Sequence, residues 1–170
     1  MMDNPMRKIS IDKVTVNMGF GADEEALKRG REIIKQMTNK KCVATKCKIR
    51  QPTWGLRPGL EIGLKTTLRK ADAEKFLKNA FIAKGNNLST DNFDNCGNFG
   101  FGLKEHIELP GIRYDPKIGT RGFDILITVK RPGYRIAKRK KTAATLGKKH
   151  RITKDEGIQF VKEKFGVKIE

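Results

Sequence analysis

The residue types that most often run acid–base, nucleophilic or metal chemistry are sparse and badly spaced in this chain. Its two histidines, His106 and His150, lie far apart in sequence. Glu105-His106 reads as a dipeptide on a strand, a hydrogen-bonded pair rather than an acid/base couple. His150 stands between Lys149 and Arg151, whose charges keep it neutral or turn it toward a phosphate. Cys42, Cys47 and Cys96 are an odd count with no CxxC spacing and no nearby histidine, which predicts reduced thiols, Cys42 and Cys47 buried, and neither a disulfide framework nor a zinc site. No GxSxG, HExxH or Walker pattern occurs, so no catalytic residue, cofactor or metal is expected. The chemistry the chain does carry densely is cationic. Thirty-seven Lys and Arg oppose nineteen Asp and Glu, a formal net charge of +18. Between Lys130 and Lys154 there is no acid, while Arg131, Arg135, Lys138, Arg139, Lys140, Lys141, Lys148, Lys149 and Arg151 all fall there. A second acid-free tract, 33–60, carries Lys35, Lys40, Lys41, Lys46, Lys48, Arg50 and Arg57. Such tracts repel themselves unless a polyanion lies against them, and phosphate contact supplies most of the affinity of nucleic-acid binders.

Within the second tract, Lys46 to Gly59 surrounds Trp54 with cations. Cations grip phosphate and a flat ring stacks on a base. Composition leaves two readings open, a stacking Trp54 at the surface or a Trp54 folded back into the core. The 130–154 tract precedes a capped helix, so it is an internal loop rather than a loose tail, suited to phosphate without base specificity. Gly97-Asn98-Phe99-Gly100-Phe101-Gly102 has the wrong glycine spacing for a dinucleotide fingerprint. It also resembles the aromatic strand of an RNA-recognition motif. The expectation is instead that Phe99 and Phe101 pack beneath a helix, with the glycines permitting close approach.

Elements must position these groups. Ile9, Ile11, Val14, Val16 and Met18 alternate as on a strand, with a phase slip at Asp12-Lys13 that predicts a bulge. Asp23 opens a helix with Glu24 and Glu25 in its first turn and Ala26, Ile33, Ile34 and Met37 as its apolar stripe. Two strands are expected over 42–49 and 60–69, the second with Ile62, Leu64, Thr66 and Leu68 on one face. The stretch between them, with two prolines and two glycines, reads as an extended loop. A helix over 72–84 turns Ala73, Phe76, Leu77 and Phe81 inward. Strands follow over 99–109 and 123–129, separated by a loop at 110–122. Thr153-x-x-Glu156 is a capping box opening a final helix over 153–166, with Ile158, Val161 and Phe165 on one face. The expected fold is α+β, one domain over 1–170, with a largely antiparallel sheet, helices on one face and extended basic loops.

The apolar fraction of 37% is below the usual ~45–50% and predicts a modest core under a large polar surface. No run approaches the ~20 apolar residues of a membrane helix, and the basic tracts are broken by Gly and Pro, which disfavours a membrane-surface helix. Met1 to Lys8 shows no apolar run of a secretory signal. Helix starts rich in acid disfavour a DNA-groove reader. Scarce acids near the basic tracts disfavour an RNA-modifying or nucleic-acid-cleaving enzyme, the alternative reading.

Several short motifs carry a resemblance. Asn4-Pro5-Met6-Arg7, Val14-Thr15-Val16-Asn17-Met18-Gly19-Phe20-Gly21, Thr45-Lys46-Cys47-Lys48 and Gly97 to Gly102 occur in that order. Glu105-His106-Ile107, Tyr114-Asp115-Pro116, Arg131-Pro132-Gly133 and Lys149-His150-Arg151 follow. Together, over nearly the whole chain, they resemble the fifth universal family of large-subunit ribosomal proteins, the 5S rRNA-binding one, in its archaeal and eukaryotic branch. The resemblance implies a non-enzymatic, cytoplasmic component of the large subunit. Its implied partners are 5S rRNA, large-subunit rRNA, peptidyl-site tRNA and a protein of the small-subunit head, with no membrane and no DNA. A polar sheet face would grip 5S rRNA through Asn17, Lys40, Lys46, Trp54, Thr67 and Arg69. Lys40 stands where bacterial members commonly have glutamine, and Trp54 where they have phenylalanine. The tRNA-facing loop would be 48–59, with Lys48, Arg50, Gln51, Thr53 and Arg57, stiffened by Pro52 and Pro58. Arg113, Tyr114, Asp115 and Lys117 would serve the subunit bridge. The basic residues of 131–151, His150 included, would meet rRNA phosphate.

Overall fold

The computed structural model describes residues 4–170; Met1 to Asp3, the start of the stretch expected to lack a signal, lie outside the described residues. The alternating apolar residues form β1 (Ser10–Gly19), and a register shift between Ile11 and Lys13 makes Asp12 the extra, bulged residue. The Asp23 carboxylate accepts the backbone N–H of Ala26 and starts α1 (Glu24–Thr38), which ends on Asn39 in the left-handed conformation. β2 (Val43–Lys46) and β3 (Glu61–Leu68) follow, then α2 (Lys70–Ala83), the short β4 (Asn87–Leu88), β5 (Phe99–Leu103) and β6 (Phe123–Lys130). One turn of helix, α3 (Arg135–Lys138), opens the basic segment. The capping box between Thr153 and Glu156 starts α4 (Lys154–Phe165), and β7 (Lys168–Ile169) closes the described chain.

The main sheet has the order β2-β3-β1-β6-β5 and is antiparallel throughout. One face is apolar: Val14, Val16 and Met18 of β1, Leu64 and Leu68 of β3, Phe99, Phe101 and Leu103 of β5, and Ile125 and Ile127 of β6 are all buried. α1 packs over β3 and α2 over β1, so the helices lie on that face. Phe81 of α2 stacks on Phe99 and Phe101, with ring centroids 6.3 and 5.5 Å away, and Phe165 of α4 closes against it at 5.1 Å. Phe99 and Phe101 are therefore core residues, as expected, and not a base-stacking pair.

Several boundaries moved. The strand expected over 99–109 stops at Leu103, and His106–Glu108 forms a single 3-10 turn that tucks the His106 ring into the core. His106 is thus not a strand residue paired with Glu105; its Nδ1 accepts the backbone N–H of Arg121 (3.4 Å). The 42–49 strand is shorter at both ends, and α2 begins at Lys70, ahead of Asp72, which sits in its first turn. Cys47 is buried as expected, while Cys42 is only half-buried.

Candidate nucleic-acid interface

The strand registers define the second sheet face. Val43, Lys65, Asn17, Asp124 and Gly102 align across all five strands. Thr67, Thr15, Leu126 and Gly100 form the next row, and Lys13 and Thr128 a third. No helix covers the first two rows, while Ala137 and Lys138 of α3 lie beside Thr128 in the third. Leu126 is 52% exposed and lies over Gly100, where an added Cβ would come within 2.8 Å of its Cδ2. The glycines leave the β5 side of this face low and flat, and its middle offers hydroxyl, amide and ammonium groups. Asn17 and Thr67, the expected sheet contacts, lie on this face, near the central strand pair.

The same registers sort the loops. The 47–60 and 104–122 loops both leave the sheet at the Gly19 end of β1, because Gly63 and Phe123 lie there. The 131–153 segment leaves at the opposite end, where Ser10 faces Lys130. The open face spans the distance between the two ends.

The first loop is a built projection. Cys47 donates its N–H to Leu60 O (2.8 Å) and Gly59 donates to Cys47 O (3.0 Å), closing its base. Gln51 and Leu56 exchange both backbone hydrogen bonds at 3.0 Å, and Pro52–Trp54 makes a 3-10 turn ending on Gly55 at φ +66°. Trp54 stands on that turn 72% exposed, which decides its two readings in favour of the surface. Gln51, Thr53, Lys46, Lys48, Arg50 and Arg57 are exposed as well, and none of these four cations has an ion-pair partner among the described residues. Lys40 and Arg69 differ. Lys40 pairs with Asp72 (3.0 Å), and the Arg69 guanidinium reaches the Asp12 backbone oxygen (3.4 Å) and carboxylate (3.8 Å).

In the second loop, Asp115 accepts the backbone N–H of Lys117 on its carboxylate (3.0 Å) and those of Ile118 and Gly119 on its carbonyl. Asp115 therefore shapes the turn, while Arg113, Tyr114 and Lys117 are exposed on it. The loop base is fixed by His106 and by Arg121, which donates to Gly19 O (3.2 Å) and lies over the Phe20 ring.

The basic segment is not uniformly available. Arg135, Arg139, Lys140, Lys141, Lys148, Lys149 and Arg151 are exposed. Arg131, expected to meet phosphate, is 5% exposed, and its guanidinium faces the protein. Its guanidinium donates to Arg7 O (3.0 Å), His150 O (3.4 Å), Arg151 O (3.3 Å) and the Glu156 carboxylate (2.7 Å). It is a brace joining the N-terminal turn, the basic segment and α4. Burial works to raise the Glu156 carboxyl, but the Thr153 N–H and the Arg131 guanidinium hold it below the ordinary carboxylate value. His150 is half-buried; its Nε2 lies 2.9 Å from Pro132 O and its ring meets Tyr134 edge-on, so its ring serves the fold first. Lys138 spends its charge on Asp12 (2.7 Å).

Sequence reasoning missed Asp12 and Tyr134. Asp12 is 9% exposed and meets Lys130, Lys138 and Arg69. Burial alone would raise its carboxyl, but hydrogen bonds from Lys138 and Lys130, and their charges, bring it down to about 2. An acid sitting at a strand's phase slip was the only available signal. Tyr134 accepts the Ile152 N–H (3.0 Å) and its hydroxyl reaches His150 O (3.4 Å), which nothing in the sequence announced. No group of His, Cys, Asp and Glu among the described residues is arranged to hold a metal, and no described helix is long and apolar enough to cross a membrane.

Comparison with known proteins places this geometry. Residues 4–57 match the family model for ribosomal protein L5, and residues 61–160 match the model for the C-terminus of the ribosomal L5P family. A protein of Sulfolobus acidocaldarius named large ribosomal subunit protein uL5 is 45% identical over 167 residues, covering 98% of this chain and 94% of its own. The proteins of the same name from Nanoarchaeum equitans (43% identical, 99% of both chains) and Methanococcus vannielii (44%, 97% of this chain and 93% of its own) are similarly close. The family is one of structural ribosomal proteins rather than enzymes. An open polar sheet face between two sets of basic loops is thus the frame on which the matched residues lie, and the chain belongs to the L5 family of large-subunit ribosomal proteins.

Proposed function

We propose that this protein is a structural component of the large ribosomal subunit that fastens 5S rRNA to it and reaches two further partners. The open sheet face, with Asn17, Thr15, Thr67 and Lys65 at its middle, takes the 5S rRNA. The exposed cations of the 131–153 segment hold large-subunit rRNA phosphate. The Trp54 loop touches peptidyl-site tRNA, and the Arg113–Lys117 turn faces a protein of the small-subunit head. The observation that carries this reading is the uncovered polar face, flanked at both ends by exposed cations lacking acidic partners. Antiparallel sheets commonly leave one face to solvent, so what supports an RNA partner is the row of hydroxyl, amide and ammonium groups on this face together with the unpaired cations at its ends.

Binding to labelled 5S rRNA, compared with duplex DNA of equal length over a salt series, tests it. Tighter binding to the rRNA that persists at raised salt is expected. Equal affinities at every salt concentration would remove the 5S rRNA assignment.

A further inference from the structure

The 131–153 segment lacks any acid, yet the fold supplies one from elsewhere. The β1 bulge turns Asp12 into the path of three cations drawn from separate places. Lys130 ends β6 (2.9 Å), Lys138 ends α3 (2.7 Å), and Arg69 follows β3 (3.8 Å). Removing the carboxylate would leave these like charges crowded together and free to part. At the far side of the segment, the buried Arg131 holds the carbonyls of His150 and Arg151, and the Tyr134 hydroxyl takes the Ile152 N–H. Both ends of the basic loop are therefore fastened to the body of the protein. Inside it, Arg139 donates to Thr142 O (2.7 Å) and Arg151 to Leu146 O (3.3 Å), so the loop is also tied to itself. A loop fixed before its ligand arrives does not have to lose its conformational freedom on binding, and binds more tightly for it.

We propose that Asp12 is a positioning residue for phosphate binding: it presets the basic segment before RNA arrives, so that deleting this negative charge weakens RNA binding. The inference rests on the RNA-binding reading above and deepens it. It runs against simple electrostatics, since Asp12→Asn makes the protein more cationic and a pure charge effect would tighten its hold on RNA.

The test compares wild type and Asp12→Asn in two measurements. In the first, amide hydrogen exchange is followed in the RNA-free protein. Protection across 135–151 is expected to fall while that of β1 and β3 is kept, and unchanged protection across 135–151 overturns the proposal. In the second, the affinity for 5S rRNA is measured at one fixed salt concentration, and a weakening of about threefold or more is expected from the lost preorganisation. An unchanged or tighter complex overturns it. Should Asp12→Asn lose sheet protection as well, Lys138→Gln, whose side chain is exposed, replaces it; the 135–151 amides must then lose protection in that variant, and the proposal falls if they do not. A wild-type protein that fails to prefer 5S rRNA removes the functional reading, while the RNA-free exchange comparison still decides the clamp.

Discussion

Trp54 shows what one residue can be asked to do at this surface. Its ring is held on a 3-10 turn by backbone hydrogen bonds that do not involve it. Trp54→Ala should therefore change stability by no more than ~0.5 kcal/mol. If the ring stacks on RNA, the same change should weaken the contact by about 1–3 kcal/mol. Urea melts and tRNA-binding titrations separate the two, and an unfolded mutant would return Trp54 to the core. His106 makes the opposite case, a polar ring with a structural job at 1% exposure. Burial pushes its imidazole below the ordinary 6.5, outweighing the Arg121 backbone and the Glu105 charge, which favour the protonated ring. The unfolded chain then binds the proton more readily, so this contribution is full above 6.5 and fades as pH falls below it. The urea midpoint should drop between about pH 7.5 and about pH 5, and His106→Gln should shrink the difference. A pH-independent midpoint in wild type would mean that the ring accepts the proton without penalty. Asp12 does not blur this test, because its lowered carboxyl keeps its full contribution above the ordinary 3.8 and loses it only as pH falls from there through about 2. Neither role could be read in the sequence, where His106 adjoins an acid it does not hydrogen-bond and Asp12 lies far along the chain from all three of its cations.

The elements were more legible than their contacts. Local chemistry fixed the beginnings: Asp23 caps α1 and the Thr153–Glu156 box caps α4, both as their spacing predicts. Thr153→Ala should lower stability by ~1 kcal/mol, checked by urea denaturation, because it orphans an N–H in the first turn of α4. Where tertiary contact decided, local reading slipped. The 99–109 strand stops early because His106 has to turn into the core, and the β4–β7 pairing of two residues each is too short to leave a pattern. The glycines of the 97–102 stretch also divide by contact. A Cβ on Gly157 of α4 would sit 2.7 Å from the Gly97 Cα, so the last helix lies directly against the backbone turn leading into β5. Ala is the better helix former by up to ~1 kcal/mol, yet Gly157→Ala should still be destabilising, by ~1–3 kcal/mol of overpacking less that gain. A raised thermal midpoint in Gly157→Ala would show that helix and turn do not touch this closely.

At the scale of the molecule, the net charge of +18 resolves into two ends and a face. The excess itself and its two tracts were visible in sequence. The placement of the 47–60 loop and the 131–153 segment at opposite ends of one sheet was not, because it depends on β1 pairing with both β3 and β6. Replacing Arg139, Lys140 and Lys141 with glutamine should reduce the slope of log affinity against log salt by up to ~3, about one unit per lost phosphate contact. An unchanged slope would place these side chains in solvent. Because the Trp54 loop and this segment share no partner, their substitutions should combine additively to within ~0.5 kcal/mol in ribosome or RNA binding. The sheet order has one further effect, on the making of the chain. β1 is the middle strand, but its second neighbour, β6, begins only at Phe123. At about 5–20 residues per second, the long edge of β1 stays unpaired for on the order of ten seconds of synthesis. During that time it is an exposed template for other strands, with Val14, Val16 and Met18 on one face. A protein with this topology has reason to meet a protective partner while still on the ribosome that is translating it.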